Sequence, residues 1–166
     1  MRSSLGEDRL SNYPAAELAE RRILVTGGAG FLGSEVTSQL CREGSKVTVL
    51  DDFSSGKIEY INSLGGIVVN RGDICSRDEV AAAVGDQEMV IHLAALPFIP
   101  DSYYNPEDFF RVNAMGSLNV LWQCIQSESV ERFVHVSSSE VYGTAQYVPM
   151  DEKPVSYTHL RAHETG

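Results

Sequence analysis

The chain has 166 residues, 43% of them hydrophobic, enough to bury the core of one domain and little more. Its formal net charge of −10 argues against a phosphate-backbone partner and against attraction to anionic membranes, so neither nucleic acid nor a membrane surface is an expected partner. No apolar run approaches the ~20 residues of a membrane span, and the N-terminus lacks the apolar centre of a secretory signal, which gives a soluble, cytoplasmic expectation.

In chain order, residues 1–20 are polar and broken by Pro14, and read as an extension with a short helix after the proline. From Arg22 onward, β-branched runs alternate with longer helical stretches. The runs are ILVT (23–26), VTVL (47–50), IVV (67–69), MVIH (89–92) and FVHV (133–136). They are apolar throughout rather than alternating, the pattern of strands covered on both faces in a parallel sheet with helical crossovers. The expected fold class is therefore α/β: a Rossmann-type doubly wound parallel sheet with helices on both faces. His92 and His135 sit inside two of these runs and read as satisfied core histidines.

The longest helix is expected to begin at Asn105-Pro106-Glu107-Asp108, which supplies a cap, a first-turn proline and acidic residues facing the helix dipole. Phe110, Ala114, Leu118, Leu121 and Ile125 then form one apolar face. Gly116 inside it predicts a close approach to the sheet. Before it, Tyr103 and Tyr104 lie in a loop where they either meet a ligand or cover the sheet edge. Cys41, Cys75 and Cys124 are odd in number and widely spaced, so no disulfide framework or zinc site is signalled, and no metal is expected. They read as buried small hydrophobes.

The stretch TGGAGFLG, Thr26 to Gly33, lies between the first strand and the first helix. Its glycines Gly27, Gly30 and Gly33 let backbone approach a pyrophosphate, while the helix N-terminus offers free N–H groups. Asp51 ends the second strand 18 positions past Gly33, close to the ~20 expected for an acidic residue on ribose hydroxyls. Asp52 follows, and two carboxylates there repel a 2′-phosphate, so NAD is the expected cofactor over NADP. The competing role for the motif is a tight turn that only packs strand against helix.

TGGAGFLG, VLDDFSSG, GDI (72–74), HLAAL (92–96), VNAMGSLNVL (112–121) and SSSEVYG (137–143) occur in an order that resembles the extended short-chain dehydrogenase/reductases of the NAD-dependent sugar epimerase/dehydratase type. The resemblance runs from about Arg22 to Lys153. It implies that Gly27, Gly30, Phe31 and Leu32, with Gly33 closing the motif, line the pyrophosphate. Asp51, Asp52, Phe53 and Ser54 would meet the adenosine ribose, and Asp73 with Ile74 the adenine. Leu93, Ala94, Ala95 and Asn113 would lie along the nicotinamide half. For Asp73 and Asn113 the competing role is capping a turn or satisfying buried backbone; for Leu93 to Ala95 it is strand packing.

The same resemblance places the active-site hydroxyl at Ser138, where it would hydrogen-bond the sugar oxygen that becomes a carbonyl when hydride leaves its carbon. Glu140 matches an acid/base carboxylate of the dehydratases, or else is a solvated loop carboxylate. The implied activity is that of a nucleotide-sugar epimerase or dehydratase, with a nucleotide sugar as substrate and a homodimer as a possible assembly. The family's Tyr-x-x-x-Lys pair is imitated by Tyr157 and Arg161. Arginine does not replace that lysine, however, and Tyr157 follows Ser138 by only 19 positions. VSYTHLRAHETG looks like a translated sequencing-adapter tail. The expected organisation is thus an extension at 1–20, an incomplete NAD-binding domain at 21–153, truncated before the substrate-binding lobe, and a non-native tail at 154–166. Such a fragment is not expected to turn over efficiently, and a non-catalytic NAD-binding module is the alternative.

Overall fold

A computed structural model describes residues 17–138. The chain divides into two units, Met1–His135 and Val136–Gly166; the first holds every element named below, and residues 136–138 are the described part of the second. The five apolar runs form β1 (Arg22–Thr26), β2 (Lys46–Asp51), β3 (Val68–Arg71), β4 (Met89–His92) and β5 (Arg132–His135). Every neighbouring pair is parallel, in the order β3-β2-β1-β4-β5. Helices α1 (Phe31–Arg42), α2 (Arg77–Val84), α3 (Ile99–Ser102), α4 (Pro106–Phe109) and α5 (Ser117–Gln126) make the connections, except that β2 and β3 are joined through a single 3-10 turn, Ile58–Tyr60. This is the doubly wound fold expected from the sequence.

Alternate residues of the central strands feed two separate cores, as the strand period of two requires. Ile23, Val25, Val47 and Val49 pack with Ala29, Leu40 and Ile61 on one face. Leu24, Leu50 and Val90 pack with Ile74, Val80, Val84, Val120 and Cys124 on the other. Burial on both faces holds for β1 and β2. The outer strands depart from it: β3 and β5 are mostly exposed, because the helices pack on the inner strands β1, β2 and β4. His135, expected in the core, is accordingly exposed, whereas His92 is buried. Of the cysteines, Cys124 is buried and Cys41 and Cys75 half-buried, all three unbridged.

The long helix differs most from expectation. Pro106 opens it and Glu107 and Asp108 fill its first turn, but the Asn105 side chain makes no capping bond. Between α4 and α5 the backbone widens into a π-helical segment, Phe110–Gly116. The expected apolar face points outward: Phe110, Leu118, Leu121 and Ile125 are exposed, together with Trp122. Facing inward instead are Gly116, Asn119, Val120 and Cys124. Hydropathy picks the largest apolar side chains, whereas the buried face is set by a glycine and a hydrogen-bonded asparagine. Gly116 does permit a close approach, though to the loop after β3 and not to the sheet: a Cβ there would lie 2.6 Å from Ile74 Cδ1. Tyr103 and Tyr104 are exposed. Among the described residues, no helix is long and apolar enough to cross a membrane.

Candidate cofactor site at the switch point

Strand order reverses between β1 and β4, and in open α/β sheets the crevice at the carboxyl ends of such strands is where ligands bind. The glycine turn forms one wall of this crevice. Gly27 has a left-handed φ of +70°, and a Cβ on it would meet the Ala94 amide nitrogen at 2.7 Å, so the turn lies directly against the segment leaving β4. A Cβ on Gly33 would overlap the Gly27 carbonyl oxygen. The start of α1 is thus folded hard onto the turn, a packing only glycine allows. Gly30 stands at the N-cap position with extended backbone and no side-chain cap.

Helix geometry leaves the first-turn amides of Phe31, Leu32 and Gly33 without intrahelical acceptors. None of the backbone hydrogen bonds made outside the helices by the described residues ends on them. Three N–H groups at the positive end of a 12-residue helix are thus left without a backbone acceptor directly after the glycine turn, the arrangement that suits a pyrophosphate. Phe31 is 88% exposed and Leu32 60% exposed beside them.

Asp51 closes the neighbouring corner. Its Oδ2 accepts from the Ala29 amide at 2.9 Å, tying the end of β2 to the glycine turn, and its Oδ1 accepts from the Phe53 amide at 2.9 Å. Asp52 Oδ1 accepts from the Ser54 amide at 2.8 Å, so two successive aspartates brace the 51–54 turn. The turn puts Phe53 at a left-handed φ of 60°, with the Arg71 guanidinium 5.8 Å from its ring centre. A carboxylate offers about four lone-pair sites, so Asp51, although only 7% exposed, keeps acceptor capacity for ribose hydroxyls.

Asp73 and Ile74 follow β3. Burial pushes the Asp73 carboxyl up, but the Cys75 amide and the Arg111 guanidinium outweigh it and hold the group below its ordinary value. The Ile74 side chain is buried in the core, which leaves only its backbone to a ligand. Leu93 continues the β1 pairing through its amide to the Thr26 carbonyl, and Leu93 and Ala94 are half-buried while Ala95 is exposed. Asn113 grips the Leu96 backbone from the π segment: Oδ1 accepts from Leu96 N at 2.7 Å and Nδ2 donates to Leu96 O at 3.0 Å. Both residues given a competing backbone role in the sequence thus hold backbone here. Ser138 is exposed, in the second unit. Glu140 lies outside the described residues, as do Tyr157 and Arg161.

Two positioning residues escape sequence reasoning. Asn119 Nδ2 donates to the Ile74 and Cys75 carbonyls at 3.1 and 3.2 Å, and its Oδ1 accepts from Arg77 Nε, so α5 holds the Asp73–Cys75 loop. Arg111 reaches Asp73 and Asp108 at 3.3 Å each. The available signal for Asn119 was a polar residue one position out of phase with the apparent apolar stripe.

Residues 23–165 match the sequence pattern of the NAD dependent epimerase/dehydratase family. The chain belongs to that family. It is 39% identical over 142 residues to a dTDP-glucose 4,6-dehydratase of Streptomyces niveus, covering 80% of this chain and 42% of that one. An epimerase structure from Methanothermobacter thermautotrophicus superposes with a TM-score of 0.77 at 35% identity, over 83% of this chain and 41% of that one. A UDP-glucose-4-epimerase of Stenotrophomonas maltophila, solved with bound NAD and formylated UDP-arabinopyranose, gives a TM-score of 0.73 at 30% identity, over 80% and 41%. The chain therefore spans about two-fifths of the length of these family members.

Proposed function

We propose that this chain is the NAD-binding part of a nucleotide-sugar epimerase or dehydratase. The supporting observation is the glycine turn at the β1/β4 switch point, with the first turn of α1 directly after it and the Asp51 carboxylate tied to it through the Ala29 amide. This donor set fits a dinucleotide: N–H groups for the pyrophosphate, a carboxylate for the ribose diol, and two adjacent carboxylates, Asp51 and Asp52, that oppose a 2′-phosphate even with the Arg71 guanidinium beside Phe53. Gly27, Gly30, Phe31, Leu32 and Gly33 would hold the pyrophosphate, and Asp51 to Ser54 the adenosine ribose. The backbone around Asp73 and Ile74 would meet the adenine, and Leu93 to Ala95 with Asn113 would shape the nicotinamide end. Bound NAD would supply the hydride acceptor and donor. Ser138 would hydrogen-bond the sugar oxygen undergoing oxidation, and Glu140 would act as acid/base in an elimination. The outward stripe of Phe110, Leu118, Leu121 and Ile125 offers the face for a homodimer.

Calorimetric titration of the 166-residue chain with NAD and NADP tests the cofactor assignment. NAD is expected to bind at least about tenfold more tightly than NADP, a difference of about 1.4 kcal/mol, and Asp51→Asn to erase most of that margin. Equal or stronger binding of NADP by the unaltered chain would reject the role given to Asp51 and Asp52.

A further inference from the structure

His92 ends β4 beside Thr26, its register partner on β1, and is 1% exposed. A buried imidazole at the switch point with both ring nitrogens engaged is more than core filling. Nδ1 lies 2.6 Å from Thr26 Oγ1, and Nε2 lies 2.8 Å from Ser117 Oγ, the first residue of α5. Thr26 Oγ1 also accepts the Ala94 amide at 3.3 Å.

Counting donors assigns the protons. Thr26 is fully buried, and no other hydrogen bond among the described residues reaches its hydroxyl, so its one proton needs an acceptor. Nδ1 is that acceptor. The ring is then neutral, protonated on Nε2, and donates to Ser117. An imidazolium would turn two N–H donors outward and leave the Thr26 proton without a partner. Phe133 and His135 of β5 stack on the ring at 6.2 and 5.4 Å, His135 being the titratable group in contact with it among the described residues. Burial, followed by repulsion from His135, pushes the His92 pKa down to about 4, which agrees with the neutral form.

The chain of bonds ends on the amide of Ala94, the same atom that a Cβ on Gly27 would strike. The segment leaving β4 is thereby linked to α5 through one ring, beside the direct bond from the Leu93 amide to the Thr26 carbonyl. We propose that His92 is a positioning residue for the dinucleotide: the series Ser117, His92, Thr26, Ala94 fixes the wall that the nicotinamide half rests on. The role goes beyond the cofactor-binding proposal and rests on it.

Nitrogen-15 NMR of the histidine rings in the unaltered chain reads the assignment directly. It should show His92 as the Nε2–H tautomer, unchanged between pH 8 and about pH 5.5. An Nδ1–H tautomer or an imidazolium in that range would overturn it. Binding supplies the second arm, with NAD and ADP-ribose as probes. His92→Phe removes both bonds and should weaken NAD about tenfold while leaving ADP-ribose, which lacks the nicotinamide, within about twofold. His92→Asn keeps an acceptor near the Nδ1 position and should recover most of the loss. Thr26→Val gives the same NAD-specific loss should the phenylalanine variant not fold. Equal loss of both ligands, or loss of neither, sinks the positioning role and leaves NAD binding standing. Failure of the unaltered chain to bind NAD at all would remove both proposals together.

Discussion

Asn119 shows how much one side chain can hold. At 9% exposure it makes three hydrogen bonds, and truncation would strand the Ile74 and Cys75 carbonyls beside a small cavity, while the exposed Arg77 guanidinium turns to water. Leaving buried polar groups unpaired costs about 1–3 kcal/mol, more than the helix propensity that alanine gains. Asn119→Ala is therefore expected to lower the urea midpoint with little change in slope, a result that chemical denaturation followed by circular dichroism would check. Asp51 was legible in the sequence because its spacing from the glycines is dictated by one strand–helix–strand repeat. Asn119 and the engagement of His92 were not. A polar residue in an amphipathic stretch reads as solvent-facing unless its carbonyl partners, 44 and 45 positions away, are known.

At the scale of elements, the strands were legible almost to the residue because five β-branched runs have few alternative conformations in a doubly wound pattern. The long helix was misread in phase. Apolar periodicity reports which residues could share a face, not whether that face meets the sheet, and a π segment that resets the helix between Phe110 and Gly116 leaves no hydropathy signature. The outward stripe gives its own test. If two copies close on it, sedimentation equilibrium should return twice the 18.2 kDa chain mass, and Leu118→Glu with Leu121→Glu should return the monomer. A monomer across all concentrations for the unaltered chain counts against that contact.

For the whole molecule, acid acts in two windows. The native His92 pKa is about 4, below the 6.5 of the free ring, so between these values the unfolded state binds more protons and stability falls as pH falls. The loss begins below about pH 6.5, is complete near pH 4, and amounts to roughly 3 kcal/mol. Below that, the Glu88 and Asp73 carboxylates enter. The Arg22 amide, opposed by burial and helped by Arg22 and Arg21, lowers Glu88, and Asp73 is held down by Cys75 and Arg111. Their contribution is present above the ordinary carboxylate range and is lost as pH falls through their depressed values. Urea midpoints at pH 7.5, 5.5 and 4.5 should decline through the first window, and His92→Asn should flatten that decline. An unaltered slope in the variant would show that another group carries it.

The glycine turn and the wall it leans on are 68 positions apart along the chain, joined by the Thr26–Ala94 bond. Parallel pairing of β1 with β4 requires β2, β3 and three crossovers to be made or bypassed first, and such long-range closure is slow. During synthesis the turn therefore leaves the ribosome well before the strand that completes the crevice. A nascent chain has the glycine turn early but no crevice until β4 docks. Ligand added during refolding can then stabilise only the late, closed sheet, so it would slow unfolding while leaving the first folding steps untouched.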